Sequence, residues 1–286
     1  MTARLLDGEA AAAALKDDLR GRIASLEQRG VTPGLGTVFV GDDAPSHKYV
    51  SMKHADAAGL GMHTVDLRLP ATASQSDVEA AVDQLNADPA IDAFIVQHPL
   101  PPGLDFTAAM SKVSPAKDAD GMHPVNLGLL VMGEPAPVAC TPAGITRLLA
   151  FHGVPIAGQH VVVVGRGLTI GRPLVNLLTL KQELGNAAVT VVHTGVHDIA
   201  EHTRRADIVV MAAGSPGLLQ PDMVRPGAAV VSAGVTFVDG KVVPDADESV
   251  AAVAGWVTPR LGGVGPMTRA MLLANAVGAA ERSVAS

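Results

Sequence analysis

The 286 residues are 48% apolar, 17% charged and only 2% aromatic. That is chain enough for about two domains around a core of Ala, Val, Leu and Ile, and it excludes collagen-like, mucin-like and disordered classes. The net charge of −7 argues against nucleic acid or an anionic membrane as partner. A single cysteine, Cys140, rules out an internal disulfide or a cysteine-rich metal site and points to a reducing compartment, the cytoplasm. Residues 1–30 do not read as a signal peptide, and no apolar run approaches the ~20 residues of a membrane span.

Leu15, Leu19, Ile23 and Leu26 recur at helical spacing and predict a helix over residues 7–30, stopped by Gly30 and Pro33. A strand over 37–40, a helix over 46–58, a strand over 63–69, a helix over 76–87 and a strand over 93–96 follow. Residues 111–142 are rich in Pro, Gly and Asp and read as a loop-rich hinge. Thr141 is the expected N-cap of a helix ending near Gly153. A second alternation then predicts strands over 161–164, 189–192, 208–211 and 228–232, helices over 170–184 and 199–205, and a closing helix over 267–282. Strands alternating with helices imply an α/β fold with mostly parallel sheets. In such sheets ligands gather beyond the carboxyl ends of the strands.

Val161–Val164 is a four-valine strand suited to burial on both faces of a parallel sheet. It runs into Gly165, Arg166, Gly167, Leu168, Thr169, Ile170 and Gly171, then a helix. Glycines at such a turn let the backbone approach a phosphate, and the helix start offers unpaired N–H groups. The spacing G-x-G-x-x-x-G is one residue longer than the usual dinucleotide fingerprint. An NAD site normally carries an acid at the end of the next strand, but here that strand ends Val192-His193-Thr194-Gly195. A missing carboxylate with Arg166 inside the loop favours a ribose 2′-phosphate, hence NADP; the other reading of Arg166 is a solvated surface cation.

Tyr49 and Lys53 lie four residues apart on one predicted helix face, with Ser46 near its edge. Lys53 is a candidate proton-transfer group, since a desolvated lysine can lose its proton, though the spacing alone fits a surface lysine as well. Gln97 ends a predicted buried strand, and Asp118-Ala119-Asp120-Gly121 reads by itself as a turn. The histidines complete no metal-ligand set, and no base is paired with Cys140, so neither a metal site nor a cysteine nucleophile is expected.

Taken in order, Pro45-Ser46-His47-Lys48-Tyr49-Val50-Ser51-Met52-Lys53, Val96-Gln97-His98-Pro99-Leu100-Pro101, Lys117-Asp118-Ala119-Asp120-Gly121, Cys140-Thr141-Pro142, Val164-Gly165-Arg166-Gly167 and Gly262-Gly263-Val264-Gly265-Pro266-Met267-Thr268 form one series. The series closely resembles the bifunctional methylenetetrahydrofolate dehydrogenase/methenyltetrahydrofolate cyclohydrolase family, from about residue 5 to 280. The resemblance implies two α/β domains around a cleft. Residues 1–140 with 268–286 would form a folate-binding catalytic domain, and residues 141–267 a Rossmann-type NADP domain. It also implies a C-terminal helix returning to the first domain and a homodimer. The implied reactions are oxidation of 5,10-methylenetetrahydrofolate with NADP⁺ and hydrolysis of the methenyl product to 10-formyltetrahydrofolate. On the matching motifs, Lys53 is the central cyclohydrolase residue, Tyr49 packs against the folate, Gln97 holds Lys53, and Asp120 orients the pterin. Ser46, Pro99, Leu100, Gly262, Gly263, Pro266 and Thr268 fall among the implied folate contacts. Gly165, Arg166, Gly167, Thr169, Ile170, Gly171, His193, Thr194, Ala213, Gly234 and Val235 fall among the implied NADP contacts.

This sequence departs from the family pattern where Gly167 replaces a serine, where a second serine is expected near Thr194, where His98 replaces Leu and Leu261 replaces Pro, and where Ser232-Ala233-Gly234 replaces an Asp-containing Asp-Val-Gly. With one phosphate-facing hydroxyl missing at Gly167, the NADP preference rests more heavily on Arg166. Two alternatives share the glycine loop: an NADP-dependent shikimate-type dehydrogenase, and an inactive nucleotide-binding regulatory protein.

Overall fold

The computed structural model describes residues 3–238 and 241–285. The chain divides into two compact units, Ala14–Cys140 with Arg269–Ser286 and Met1–Ala13 with Thr141–Thr268. In chain order the elements begin β1 (Arg4–Leu5), α1 (Gly8–Glu27), β2 (Gly34–Val40), α2 (Ala44–Ala58), β3 (His63–Leu69), α3 (Gln75–Ala87) and β4 (Ala93–Val96). They continue α4 (Phe106–Lys112), α5 (Pro124–Met132), α6 (Cys140–Phe151), β5 (His160–Val164), α7 (Gly171–Thr179), β6 (Ala188–Val192), α8 (Ile199–Thr203) and β7 (Ile208–Met211). The last are β8 (Ala229–Ser232), β9 (Val235–Val238), β10 (Lys241–Pro244), β11 (Trp256–Val257) and α9 (Val264–Ala285).

The first unit, Ala14–Cys140 with Arg269–Ser286, is built on a three-stranded parallel sheet in the order β3-β2-β4. β2 is central and buried along its whole length, as a strand covered on both faces must be. Its Val38 and Val40 pack with Val78, Val82 and Leu85 of α3 and with Phe94 and Val96 of β4. α2 starts at a cap: the Asp43 carboxylate accepts from Ser46 N at 2.9 Å, with a proline in the first turn. The α9 residues of this unit are tied in by Arg269 to Asp56, by Glu281 to Arg22, and by Asn275 Nδ2 donating to Ala119 O and Val138 O.

The second unit carries a six-stranded, all-parallel sheet in the order β1-β11-β8-β7-β5-β6, and an antiparallel β9–β10 hairpin. Val161–Val164 are wholly buried. Residues 3–13 belong here rather than with the first unit, because β1 pairs with β11, Arg4 opposite Trp256 and Leu5 opposite Val257.

Several elements differ from the sequence expectations. The stretch expected to be a hinge holds α5: Pro124 takes the first turn, where its missing N–H costs nothing, and Gly133 closes the helix at φ +74°. α6 starts at Cys140, and Thr141 does not cap it; Thr141 Oγ1 instead meets Thr268 Oγ1 at 3.1 Å. α7 stops at Thr179, where Leu180 turns extended. The closing helix α9 begins at Val264, three residues ahead of the expected 267, and runs to Ala285. Among the described residues no helix is long and apolar enough to cross a membrane.

Candidate active site

In the first unit, α2 places Tyr49 and Lys53 on one face, and the Lys53 Nζ lies 4.9 Å from the Tyr49 ring centroid. Lys53 is only 5% exposed, and its Nζ donates to Gln97 Oε1 at 3.0 Å. Gln97 is the first residue past β4. Its own backbone N–H donates to Val38 O at 2.8 Å, and its side-chain Nε2 donates to His98 O at 2.6 Å. The amide is therefore held at both ends, which fixes its oxygen toward the lysine.

Asp120 reaches the same corner because the chain before it runs beside β4. Asp118 bridges to Phe94 in parallel fashion, and Ala119 N donates to Phe94 O at 3.2 Å. The buried Asp118 carboxylate accepts from Gly121 N at 3.0 Å, His123 N at 2.7 Å and Asn126 Nδ2 at 2.9 Å. Gly121 sits at φ +69°, where a Cβ would strike the Val138 carbonyl carbon at 2.2 Å, so only glycine fits the turn. Cys140 N donates to Asp120 O at 3.1 Å, and Cys140 Sγ donates to Ala119 O at 3.2 Å.

Burial sets the electrostatics. It pulls the Lys53 ammonium below its ordinary range, against the opposing pull of Asp120. It pushes the Asp120 carboxyl up, with Lys53 pulling it back down. It also raises the Tyr49 phenol and the Cys140 thiol. A buried lysine whose protonated form is disfavoured, near a carboxyl group and a fixed amide, gives up its proton to a neighbouring water more readily than a surface lysine does. Cys140 is a buried thiol at the first residue of α6. Ser46 is half-buried in the first turn of α2; Pro99 and Leu100 follow Gln97, with Leu100 packing on the α3 core. His98 stacks edge-on against Phe106, the first residue of α4, ring centroids 4.9 Å apart.

In the second unit, β5 delivers the chain to Gly165 at φ +135°, where a Cβ would come within 2.1 Å of Ala212 O. At Gly171 a Cβ would meet Gly165 O at 2.4 Å. Both glycines are required by close backbone packing. Gly167 faces open space, so no contact demands glycine there. Ile170 occupies the N-cap of α7 without a side-chain cap, leaving the first amides of the helix unsatisfied by any capping side chain. Arg166, Gly167 and Thr169 are exposed, and Arg166 has no carboxylate partner among the described residues. His193 Nδ1 accepts from Gly195 N at 3.1 Å, and Thr194 is exposed beyond β6. Ala213 and Gly234 lie just past β7 and β8; of Val235 only the backbone, in β9, is described. Uncapped amides, an unpaired guanidinium and no acid at the end of β6 suit a phosphorylated dinucleotide. Gly262 and Gly263 turn against the start of α1, with Gly8 N donating to Gly262 O at 2.8 Å, and Pro266 and Thr268 lie in the opening turns of α9. Among the described residues no group of His, Cys, Asp and Glu is arranged to hold a metal ion.

Residues 6–120 match the model of the tetrahydrofolate dehydrogenase/cyclohydrolase catalytic domain, and residues 139–284 that of the family's NAD(P)-binding domain. The chain belongs to the tetrahydrofolate dehydrogenase/cyclohydrolase family. It is similar to a bifunctional protein FolD of Syntrophotalea carbinolica, 56% identical over 98% of this chain and 97% of that one. A second, bifunctional protein FolD 1 of Salinispora tropica, is 54% identical over 99% and 93%. Among solved structures, the Trypanosoma brucei methylenetetrahydrofolate dehydrogenase-cyclohydrolase, complexed with NADP cofactor and inhibitor, superposes with a TM-score of 0.93 at 40% identity, all of both chains covered. The shikimate-type alternative gives way to this family. The structure adds two residues whose holding roles no local pattern showed, Asp118 and Asn275, with hydrogen-bond partners 3 to 156 residues away.

Proposed function

We infer that the chain oxidises 5,10-methylenetetrahydrofolate with NADP⁺ and hydrolyses the resulting methenyl cation to 10-formyltetrahydrofolate, with Lys53 as the proton-transfer group of the second step. The observation that carries the assignment is the buried Lys53–Gln97 hydrogen bond beside Asp120. Hydration of the cation requires a proton to leave water and another to return as the ring opens; an amine whose protonated form is disfavoured by burial can perform both transfers. Gln97 aims the amine, Tyr49 offers its ring face to the folate, and Asp120 accepts hydrogen bonds from the pterin edge. Ser46, Pro99 and Leu100 add folate contacts within the first unit.

NADP⁺, when bound, accepts the hydride from a carbon flanked by two nitrogens. Since those nitrogens stabilise the developing charge, the protein's part is alignment. Gly165, Gly167 and Gly171 bring backbone amides to the phosphates, with Thr169 and Ile170 at the start of α7. Arg166 pairs with the 2′-phosphate, His193 and Thr194 line the adenosine ribose, and Ala213, Gly234 and Val235 lie toward the nicotinamide.

The chain works in the cytoplasm as a homodimer in this reading. What supports a dimer is the edge position of β6, whose Val191 is 42% exposed. The deciding experiment supplies methylenetetrahydrofolate with NADP⁺ or NAD⁺ and follows methenyl absorbance. Formation followed by decay, faster with NADP⁺, is expected; no absorbance change with either coenzyme overturns the reading.

A further inference from the structure

Asp245, just past β10 in the second unit, is fully shut from solvent and has no part in the site as assigned above. Its Oδ2 accepts from Ala213 N at 2.8 Å and Gly214 N at 2.9 Å, and its Oδ1 accepts from Ser215 N at 2.8 Å. These are three consecutive amides of the segment leaving β7. Gly214 sits at φ +62°, the left-handed turn that lets successive N–H groups converge on one anion. On its other side the carboxylate abuts Gly234, leaving β8: a Cβ there would come within 2.0 Å of Asp245 Oδ2. Gly234 N is itself fixed to Met211 O at 2.9 Å, at the end of β7. The backbone of Asp245 is anchored too, its carbonyl accepting from Leu219 N at 3.1 Å.

One side chain thus fills an anion nest and sets the spacing between the segments that leave β7 and β8. In a parallel sheet those carboxyl ends are where a dinucleotide lies.

We propose that Asp245 is a positioning residue for the NADP site, acting through Ala213, Gly214 and Gly234 rather than by touching the coenzyme. The inference rests on the NADP reading of the second unit. Asn at position 245 presents an amide N–H or a single neutral oxygen to three donors, so the segment 213–215 loses its shape.

The test measures NADP⁺ binding by calorimetry, and separately the hydrolysis of methenyltetrahydrofolate without coenzyme, in wild type, Asp245→Asn and Asp245→Ala. NADP⁺ affinity is expected to fall about tenfold or more in Asp245→Asn. Cyclohydrolase, which draws on Lys53 of the first unit, stays within about twofold. Formate, a small carboxylate able to enter the vacated nest, is expected to restore NADP⁺ affinity to Asp245→Ala. Unchanged affinity in Asp245→Asn, indifference of Asp245→Ala to formate, or parallel loss of coenzyme binding and hydrolysis each overturns the positioning role. Failure of the wild type to bind NADP⁺ overturns the reading beneath it, a distinct result.

Discussion

Lys53 Nζ and Gln97 Oε1, 44 residues apart in sequence, meet at 3.0 Å in a buried corner where β4 ends against α2. A buried ammonium without a partner is costly, and a glutamine satisfies one donor without adding a charge that would hold the proton in place. The pair therefore keeps the amine fixed and still able to titrate.

Replacing Lys53 by Met removes that amine and keeps most of its volume. General acid–base help is worth about 10²–10⁴-fold, so hydrolysis of methenyltetrahydrofolate should fall at least a hundredfold. NADP⁺ binding should persist, since the coenzyme residues lie on other elements. Hydrolysis at the wild-type rate would end the assignment of Lys53.

Asp120 is expected to control both affinity and pH response. Loss of its hydrogen bonds to the pterin in Asp120→Asn should lower kcat/KM for the folate about tenfold or more. Its charge also raises the Lys53 ammonium, against the larger lowering by burial. Removing that charge leaves burial less opposed, so the ascending limb of the cyclohydrolase pH profile should move to lower pH. A limb that stays put or moves upward would show that another group titrates there.

Much of this arrangement was readable along the chain. Tyr49 and Lys53 are visible as an i, i+4 pair, and the glycine loop is visible because a valine strand precedes it and a helix follows. The three strands of the first unit were readable from their apolar or β-branched runs, whereas their order β3-β2-β4 was not. The pieces that escaped are those whose cause is distant. β1 and β11 are two residues each and exist only through pairing with one another and with β8. The apolar run of α5 was masked by Pro124 and the surrounding prolines, which act there as a helix start and as flanks rather than as breakers. Asp118, Asp245 and Asn275 carry no local signature, because a carboxylate or amide that clasps remote backbone looks in sequence like any polar loop or helix residue.

Asp56 tests how the helix bearing Lys53 is held. It lies on α2 three residues past Lys53 and takes Lys16 Nζ at 2.6 Å and Arg269 Nε at 2.7 Å, with side-chain exposures of 18% for Asp56 and 11% for Arg269. Burial raises its carboxyl, but the hydrogen bonds and charges of Lys16 and Arg269 outweigh this and hold it below the ordinary aspartate range. A depressed carboxyl contributes stability above the unfolded value and loses it as pH falls through the folded one. Asp56→Asn should therefore cost about 1–2 kcal/mol near neutrality, between an exposed pair and a fully buried one. The gap to wild type in urea unfolding should close as the pH is lowered through the acid range; a gap constant in pH would refute the linkage.

Coenzyme choice can be moved in both directions from two adjacent positions. Arg166 is exposed, within the loop, and unpaired with any carboxylate among the described residues, so its guanidinium is available to a 2′-phosphate. Arg166→Gln should raise KM for NADP⁺ about 10–100-fold while leaving NAD⁺ nearly unchanged, the signature of a lost charge-assisted bond. Gly167 offers the opposite experiment. No heavy atom comes within 4 Å of a Cβ built there, so Gly167→Ser adds a hydroxyl donor beside the same phosphate without a clash. A neutral hydrogen bond of ordinary net strength lowers KM for NADP⁺ about two- to tenfold. Steady-state kinetics with both coenzymes separate the two effects. Equal changes for NADP⁺ and NAD⁺ in Arg166→Gln would remove the 2′-phosphate from the argument, and a raised KM in Gly167→Ser would show that the loop needs its glycine for closeness to the ligand.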